Sequence, residues 1–347
     1  MSLPSGIFQG SFGQDMAIFR TKTQWLLLLL LLVFVFTMPL YSSDKTITTV
    51  TIIGITIISV LGLNILTGYC GQISMGHAGF MAVGGYTAAV LMAKLHLPFL
   101  VSVPAAGLGA GIVGIIFGLP SLKIKGFYLI MSTIAAQFIV IWLIIQMRGV
   151  TGGADGMSVP RPEIFGLAIT SKASYFILVM ILTCLATYLA KNIVRTRVGR
   201  AFIAIRDNDL AAEVMGVNLL YYKLTAFFIG CVYAGVAGSL MVNYIHFANT
   251  EQFPFINSVW YLGMLIVGGM GSTVGVIFGV VAIKLLEQLA TTIGPVLANI
   301  FVPQVAASLA LILDGLVIIL FLIFEPRGLA HRWEMIKAYY RRWPFSQ

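Results

Sequence analysis

Apolar residues in this chain come in long runs, and the polar residues between them gather into short stretches. Crossing about 30 Å of hydrocarbon at 1.5 Å per residue takes roughly 20 residues of helix, fewer where a helix is short or broken. On that ruler the pattern predicts spans near 25–41, 47–66, 79–95, 99–119, 127–147, 173–191, 224–245, 256–268, 275–293 and 305–324. The eighth is too short to cross comfortably and reads as one half of a broken helix, which leaves a total of eight, nine or ten. The expected fold is all-α: a polytopic transmembrane helical bundle of about 8–10 spans with broken or re-entrant Gly-rich elements.

Basic residues orient the bundle. With both termini in the cytoplasm, fifteen of the 21 Lys and Arg fall inside, five (Lys45, Lys94, Arg148, Arg161 and Lys172) fall outside, and Lys284 lies within a span. The positive-inside rule favours that arrangement. Arg20 and Lys22 before the run 25–41 resemble a signal peptide, but no small-residue cleavage site follows and more spans do, so the run reads as a retained first span. The expected organisation is an N-terminal cytoplasmic tail (1–24), a transmembrane permease domain (25–325) and a basic cytoplasmic tail (326–347). A cytoplasmic loop at 192–222 and a Gly- and Pro-rich periplasmic loop at 148–172 interrupt the domain, and neither holds a soluble catalytic domain.

Composition closes off other classes. Apolar residues make up 59% and charged residues 10% of 347, with a mean hydropathy of +0.98, too few charges to cover a soluble surface. Cys70, Cys184 and Cys231 are single, with no C-x-x-C and no histidine at ligand spacing, so a metal site has no support. The net charge of +9 belongs to segments between apolar runs and reads as membrane orientation rather than nucleic-acid binding. No G-x-x-x-x-G-K-[ST] occurs, so a nucleotide would have to be bound by another chain. The G-x-G-x-x-G of Gly109, Gly111 and Gly114 follows no strand; Gly107 with Gly111, and Gly114 with Gly118, are small-xxx-small spacings for helix contact.

Two Gly-rich breaks stand out, from Gly68 to Phe80 and from Val267 to Gly275. Glycines weaken helices, and polar Gln72, Ser74 and His77 are costly in lipid unless they face protein or a water-filled path. Gln72, Ser74, His77, Gln137, Gly269, Ser272 and Thr273 are therefore candidates for a translocation path, against the alternative that both breaks are tight cytoplasmic turns. Asn64, Thr133 and Asn243 either line a path or satisfy nearby backbone. Lys284 and Glu287, one turn apart, read as a structural ion pair, and Asp314 lies in the last run.

The cytoplasmic stretch from Arg195 to Asn218 places Phe202, Ile205, Leu210, Val214 and Val217 toward one helical face and Arg200, Arg206, Asp207 and Glu213 toward the other, with Gly216 as a helix stop. Such a helix lies on headgroups or docks in a partner's groove. Together with G-Q-I-S-M-G-H-A-G-F, K-G-F-Y-L-I near Lys125, T-G-G-A-D-G near Thr151 and G-G-M-G-S-T-V-G, it resembles the permease family of branched-chain amino acid ABC importers over roughly Thr46 to Leu329. The resemblance implies a coupling helix, Arg200 to Gly216, seated on an ATP-binding subunit, with Arg200, Arg206, Asp207, Ala211, Ala212, Glu213 and Gly216 as its residues. Of the importer pattern E-A-A-x-x-x-G, Ala211, Ala212 and Gly216 match, while Leu210 stands in place of the acid and Glu213 is displaced by three residues.

Also implied are a second, different permease chain, two ATP-binding subunits that carry ATP and magnesium, and a periplasmic solute-binding protein landing on the 148–172 loop near Gly152, Gly153 and Asp155. The chain itself would carry no cofactor and no catalysis, and its site would be the bacterial inner membrane. Branched-chain or other apolar amino acids are the expected substrates; related permeases move urea, short amides or aromatic acids. An ion-coupled secondary transporter or channel is the rival of another class, and only Glu287 and Asp314 would serve it.

Overall fold

The computed structural model describes residues 22–121, 127–164, 167–298 and 327–342, with positions 315, 316, 319 and 323 between the last two. Arg20, Lys123, Lys125, Asp314 and nearly all of the run 305–324 lie outside the described residues. The described residues are predominantly helical: α1 Lys22–Thr37, α2 Asp44–Leu63, α3 His77–Ala93, α4 Phe99–Ser121, α5 Phe127–Gln146, a one-turn α6 Arg148–Thr151, α7 Lys172–Arg195, α8 Arg197–Asp207, α9 Asp209–Val214, α10 Leu219–Ile245, α11 Phe255–Gly268, α12 Thr273–Ala298 and α13 Gly328–Arg342. Four two-residue strands, β1 Met157–Ser158, β2 Glu163–Ile164, β3 Leu167–Ala168 and β4 Phe247–Ala248, form two small antiparallel pairs, β1 with β4 and β2 with β3.

Among the described residues five helices are long and apolar enough to cross a membrane: α2 with its extension to Tyr69, α4, α5, α7 and α10. The bent pair α11 and α12 makes a sixth if taken as one span, and α1 and α3 are shorter apolar helices. α11 has 14 residues, about 21 Å of helix, short of the roughly 30 Å a membrane core demands. The pair reverses by 118° at Gly269–Ser272, as its shortness led one to expect.

The bundle is built around α10, which packs against α2, α3 and α4. Between apolar helices in lipid, close van der Waals contact rather than water exclusion drives association, so small residues gather where axes cross. A side chain at Gly84 on α3 would run into the backbone of Gly235, and one at Gly238 into the Met81 carbonyl. The α4 glycines do what their spacing predicts: a Cβ at Gly111 would sit 2.6 Å from the Phe228 ring and one at Gly114 2.5 Å from Cys231 Sγ. The opposite faces of α4, α5 and α7, with Ile112, Ile116, Phe138, Trp142, Ile181 and Leu185, are exposed and apolar, as a lipid-facing surface must be.

Segments outside the apolar runs begin helices with side-chain caps. Ser43, Ser171, Thr196, Asn208 and Asn218 each accept a hydrogen bond from a backbone N–H in the following turn. One of these caps corrects the expected coupling helix. Asn208 adopts an extended backbone (φ −160°, ψ 106°) and its side chain accepts from Ala211 N at 3.0 Å, so the stretch 200–216 is two helices, α8 and α9, not one. Asp207, Asn208 and Asp209 in a row compete with helical bonding through their own short side chains. The single apolar face is lost with it: Phe202 and Ile205 are buried, whereas Leu210 is 64% and Val214 87% exposed.

Candidate functional site

Residues singled out in the sequence collect at the two ends of the bundle and in one layer between them. At the first end α2 widens into a π turn, Asn64–Tyr69, and the chain then turns back. Gln72 N donates to Leu66 O at 3.1 Å and Thr67 Oγ1 to Gln72 O at 3.0 Å, closing the turn. The segment after it climbs back along α2: the His77 ring Nε2 pairs with Ser59 O at 2.9 Å, more than two helical turns above Gly68. Gln72, Ser74 and His77 are all buried. Gln72 Oε1 and Ser74 Oγ have no hydrogen-bond partner among the described residues.

The re-entrant segment delivers the N-terminus of α3 into the bundle interior, where its free N–H groups need acceptors. They find side chains from other helices. Ala78 N donates to Ser258 Oγ at 2.9 Å, Gly79 N to Gln137 Oε1, and Met75 N to Thr133 Oγ1 at 3.1 Å. Gln137 is 1% exposed and uses both ends of its amide, since Nε2 donates to Phe253 O at 3.0 Å. Sequence reasoning offered Gln137 as a path residue; the geometry makes it the joint between α3, α5 and the start of α11. Ser258 and Phe253 carried no signal in the sequence, because a lone serine and a backbone carbonyl look ordinary until the fold brings them to α3. Asn243 back-bonds to Ser239 O at 2.8 Å.

The second break meets the first. Gly271 lies beside the π turn: Asn64 Oδ1 accepts from Gly271 N at 2.9 Å, and a Cβ on Gly68 would fall 2.6 Å from that same nitrogen, while Gly269 lies against Arg327 and Gly328. Ser272 Oγ accepts from Gly275 N at 3.1 Å and starts α12, whose first residue Thr273 is buried. Lys284 and Glu287 on α12 form the expected pair, 2.7 Å apart and partly buried.

The coupling candidates lie at this same end. Arg206 is exposed yet donates from Nη1 to Gly68 O at 3.1 Å, while Nε and Nη2 both reach Asp207 Oδ1. Arg200 Nη1 reaches Arg195 O at 3.3 Å. Ala212 is buried against the bundle, and Lys223 and Asp209 join α9 to α10 at 3.7 Å. Ala211, Glu213 and Gly216 are exposed, as is Met215 at 83%. Gly216 has φ +87°, a left-handed stop that suits glycine, as the sequence predicted.

At the opposite end, Gly152 (φ +78°) and Gly153 (φ +65°) fold tightly around Thr151, whose hydroxyl donates to Ile144 O and accepts from Gly153 N. Asp155 at the tip is exposed. β1 pairs with β4, strapping this loop to the segment after α10, and Lys94 Nζ donates to Gly149 O. His246 caps α10 in the left-handed region; burial, and then the charge of Arg161, push its pKa below the usual histidine value. Among the described residues no group of three or more His, Cys, Asp or Glu could hold a metal ion.

A bundle of apolar helices with paired Gly-rich breaks and an amphipathic loop at one end is the architecture of an integral membrane transport protein. The chain belongs to the family described as "Branched-chain amino acid transport system / permease component", whose profile matches residues 46–322. It is 30% identical over 333 residues to the high-affinity branched-chain amino acid transport system permease protein LivM of Escherichia coli K12, covering 89% of this chain and 75% of that one. It is 25% identical over 317 residues to the probable branched-chain amino acid transport permease protein LivM of Methanocaldococcus jannaschii, covering 77% and 88%. No solved structure matches.

Proposed function

We propose that this chain is the membrane-crossing half of an ATP-driven importer fed by a periplasmic solute-binding protein. A second permease chain completes the passage, and two ATP-binding subunits, which hold ATP and magnesium, drive it from the cytoplasm. The bacterial inner membrane houses it with both termini inside, so that the breaks and α8–α9 face the cytoplasm and the Gly152–Asp155 turn faces the binding protein. Residues 25–325 form the permease domain between tails 1–24 and 326–347.

The observation that carries this reading is the α8–α9 pair. Its inner side is buried in the bundle, yet Leu210, Val214 and Met215 stand exposed on the loop between two apolar helices. Apolar side chains in such a place suit a groove on a partner protein better than water. Substrates are branched-chain or other apolar amino acids, in keeping with the names of the relatives; the passage itself needs only weak, mostly apolar contact when capture and energy come from other subunits. The Lys284–Glu287 pair favours this over an ion-coupled transporter, since Glu287 already has its counter-charge.

Replacing Leu210, Val214 and Met215 together by Asp is expected to abolish ATP-driven uptake in reconstituted vesicles while the chain still inserts. Uptake at the original rate in that variant, or uptake that survives ATP depletion and collapses with an uncoupler, would refute the reading. Affinities of the cognate binding protein across branched-chain amino acids, urea, amides and aromatic acids decide the substrate.

A further inference from the structure

The proposed function leaves open how movement of a loop enters the membrane. The π turn ends α2 with a carbonyl, Gly68 O, that has lost its place in the helical ladder and sits at the negative end of a long helix. Arg206, the last arginine of α8, supplies the donor at 3.1 Å. Its other edge meets Asp207 Oδ1 at 2.9 and 3.0 Å, so the planar guanidinium bridges helix and turn. The stem is equally confined, because a Cβ on Gly71 would come within 3.0 Å of Arg206 Cγ.

The same nitrogen faces the second break. A Cβ on Gly271 would lie 3.1 Å from Arg206 Nη1, and Gly271 N is bonded to Asn64 Oδ1 within the π turn. Beyond it, Gly269 lies against the backbone of Arg327 and Gly328 at the head of α13. One guanidinium thus reaches from the loop helix to both helix breaks, and the second break in turn lies against the start of the tail helix. Small shifts in such a packed junction pass on as displacements of the elements that meet there.

We propose that Arg206 is a positioning residue for transport, one that keys α8 to Gly68 and Gly271 so that displacement of the loop moves both breaks together. This rests on the importer reading above, in which partner subunits push on α8–α9. The role is mechanical, acting through the two breaks.

The test uses the complete assembly in proteoliposomes with its binding protein, measuring uptake and ATP hydrolysis in the same sample. Arg206→Ala is expected to keep the ATP-binding subunits attached while uptake per ATP hydrolysed falls by about tenfold, the scale of one lost charge-assisted hydrogen bond. Arg206→Lys, which restores the charge and one donor but not the fork, is expected to recover part of that ratio. An unchanged ratio in Arg206→Ala overturns the inference. So does release of the ATP-binding subunits, which would make Arg206 a docking residue. If Arg206→Ala does not accumulate, Arg206→Gln carries the same two outcomes. An unmodified assembly with no ATP-dependent uptake sinks the importer reading itself, a result separable from any behaviour of the variants.

Discussion

Gln137 sits where α3 begins inside the bundle, and its amide is spent on the N–H of Gly79 and the carbonyl of Phe253. Away from water each of these groups costs roughly 1–3 kcal/mol when left unpaired. Gln137→Leu keeps the volume and removes both bonds, so thermal unfolding in detergent should show a loss of about 2–4 kcal/mol; an unchanged midpoint would mean that other groups cap α3. The sequence marked Gln137 as unusual because an amide in an apolar run requires partners. It did not say which ones, since Phe253 and Ser258 lie more than a hundred positions away and only packing brings them close. Arg206 was legible as a loop residue but not as one bonded to the first break, because the acceptor is a backbone carbonyl freed by a π turn.

Between elements, glycine placement decides how closely helices approach. The small-residue spacing of α4 was readable, and it does meet α10. The tightest crossing, α3 on α10, depends on Gly84, Gly235 and Gly238, single positions in two separate runs that no local spacing links. Gly238→Ala would drive a methyl group into the Met81 carbonyl and is expected to cost about 1–3 kcal/mol through overpacking. Gly149→Ala, where a Cβ meets nothing within 4 Å, should be close to neutral. Equal effects of the two on unfolding temperature would contradict the crossing. The split of the coupling stretch into α8 and α9 was missed for a different reason: Asp207 was read as part of the polar face of one helix, although the neighbouring Asn208 side chain caps a new one.

Across the whole molecule the two ends carry different parts. Both breaks, α8, α9 and the head of α13 meet at one end, while the Gly152–Asp155 turn, the β1–β4 strap and the Lys172–Asp44 pair lie at the other. With Cys184 replaced by Ala, a membrane-impermeant maleimide applied to intact cells should label Asp155→Cys and not Glu334→Cys, whereas permeabilised cells should label both. Labelling of Glu334→Cys from outside would reverse the proposed orientation. The amino-acid order alone determined that this chain lives in a membrane, where its runs begin and end within a few residues, and which family it resembles, because apolar run length and charge distribution are local quantities set by hydrocarbon thickness. Only the tertiary structure decided that the two breaks touch, that α3 starts in the interior, and that Arg206 joins loop to turn. Those contacts depend on backbone groups freed from their helices, which have no letter in the sequence until distant segments are brought together.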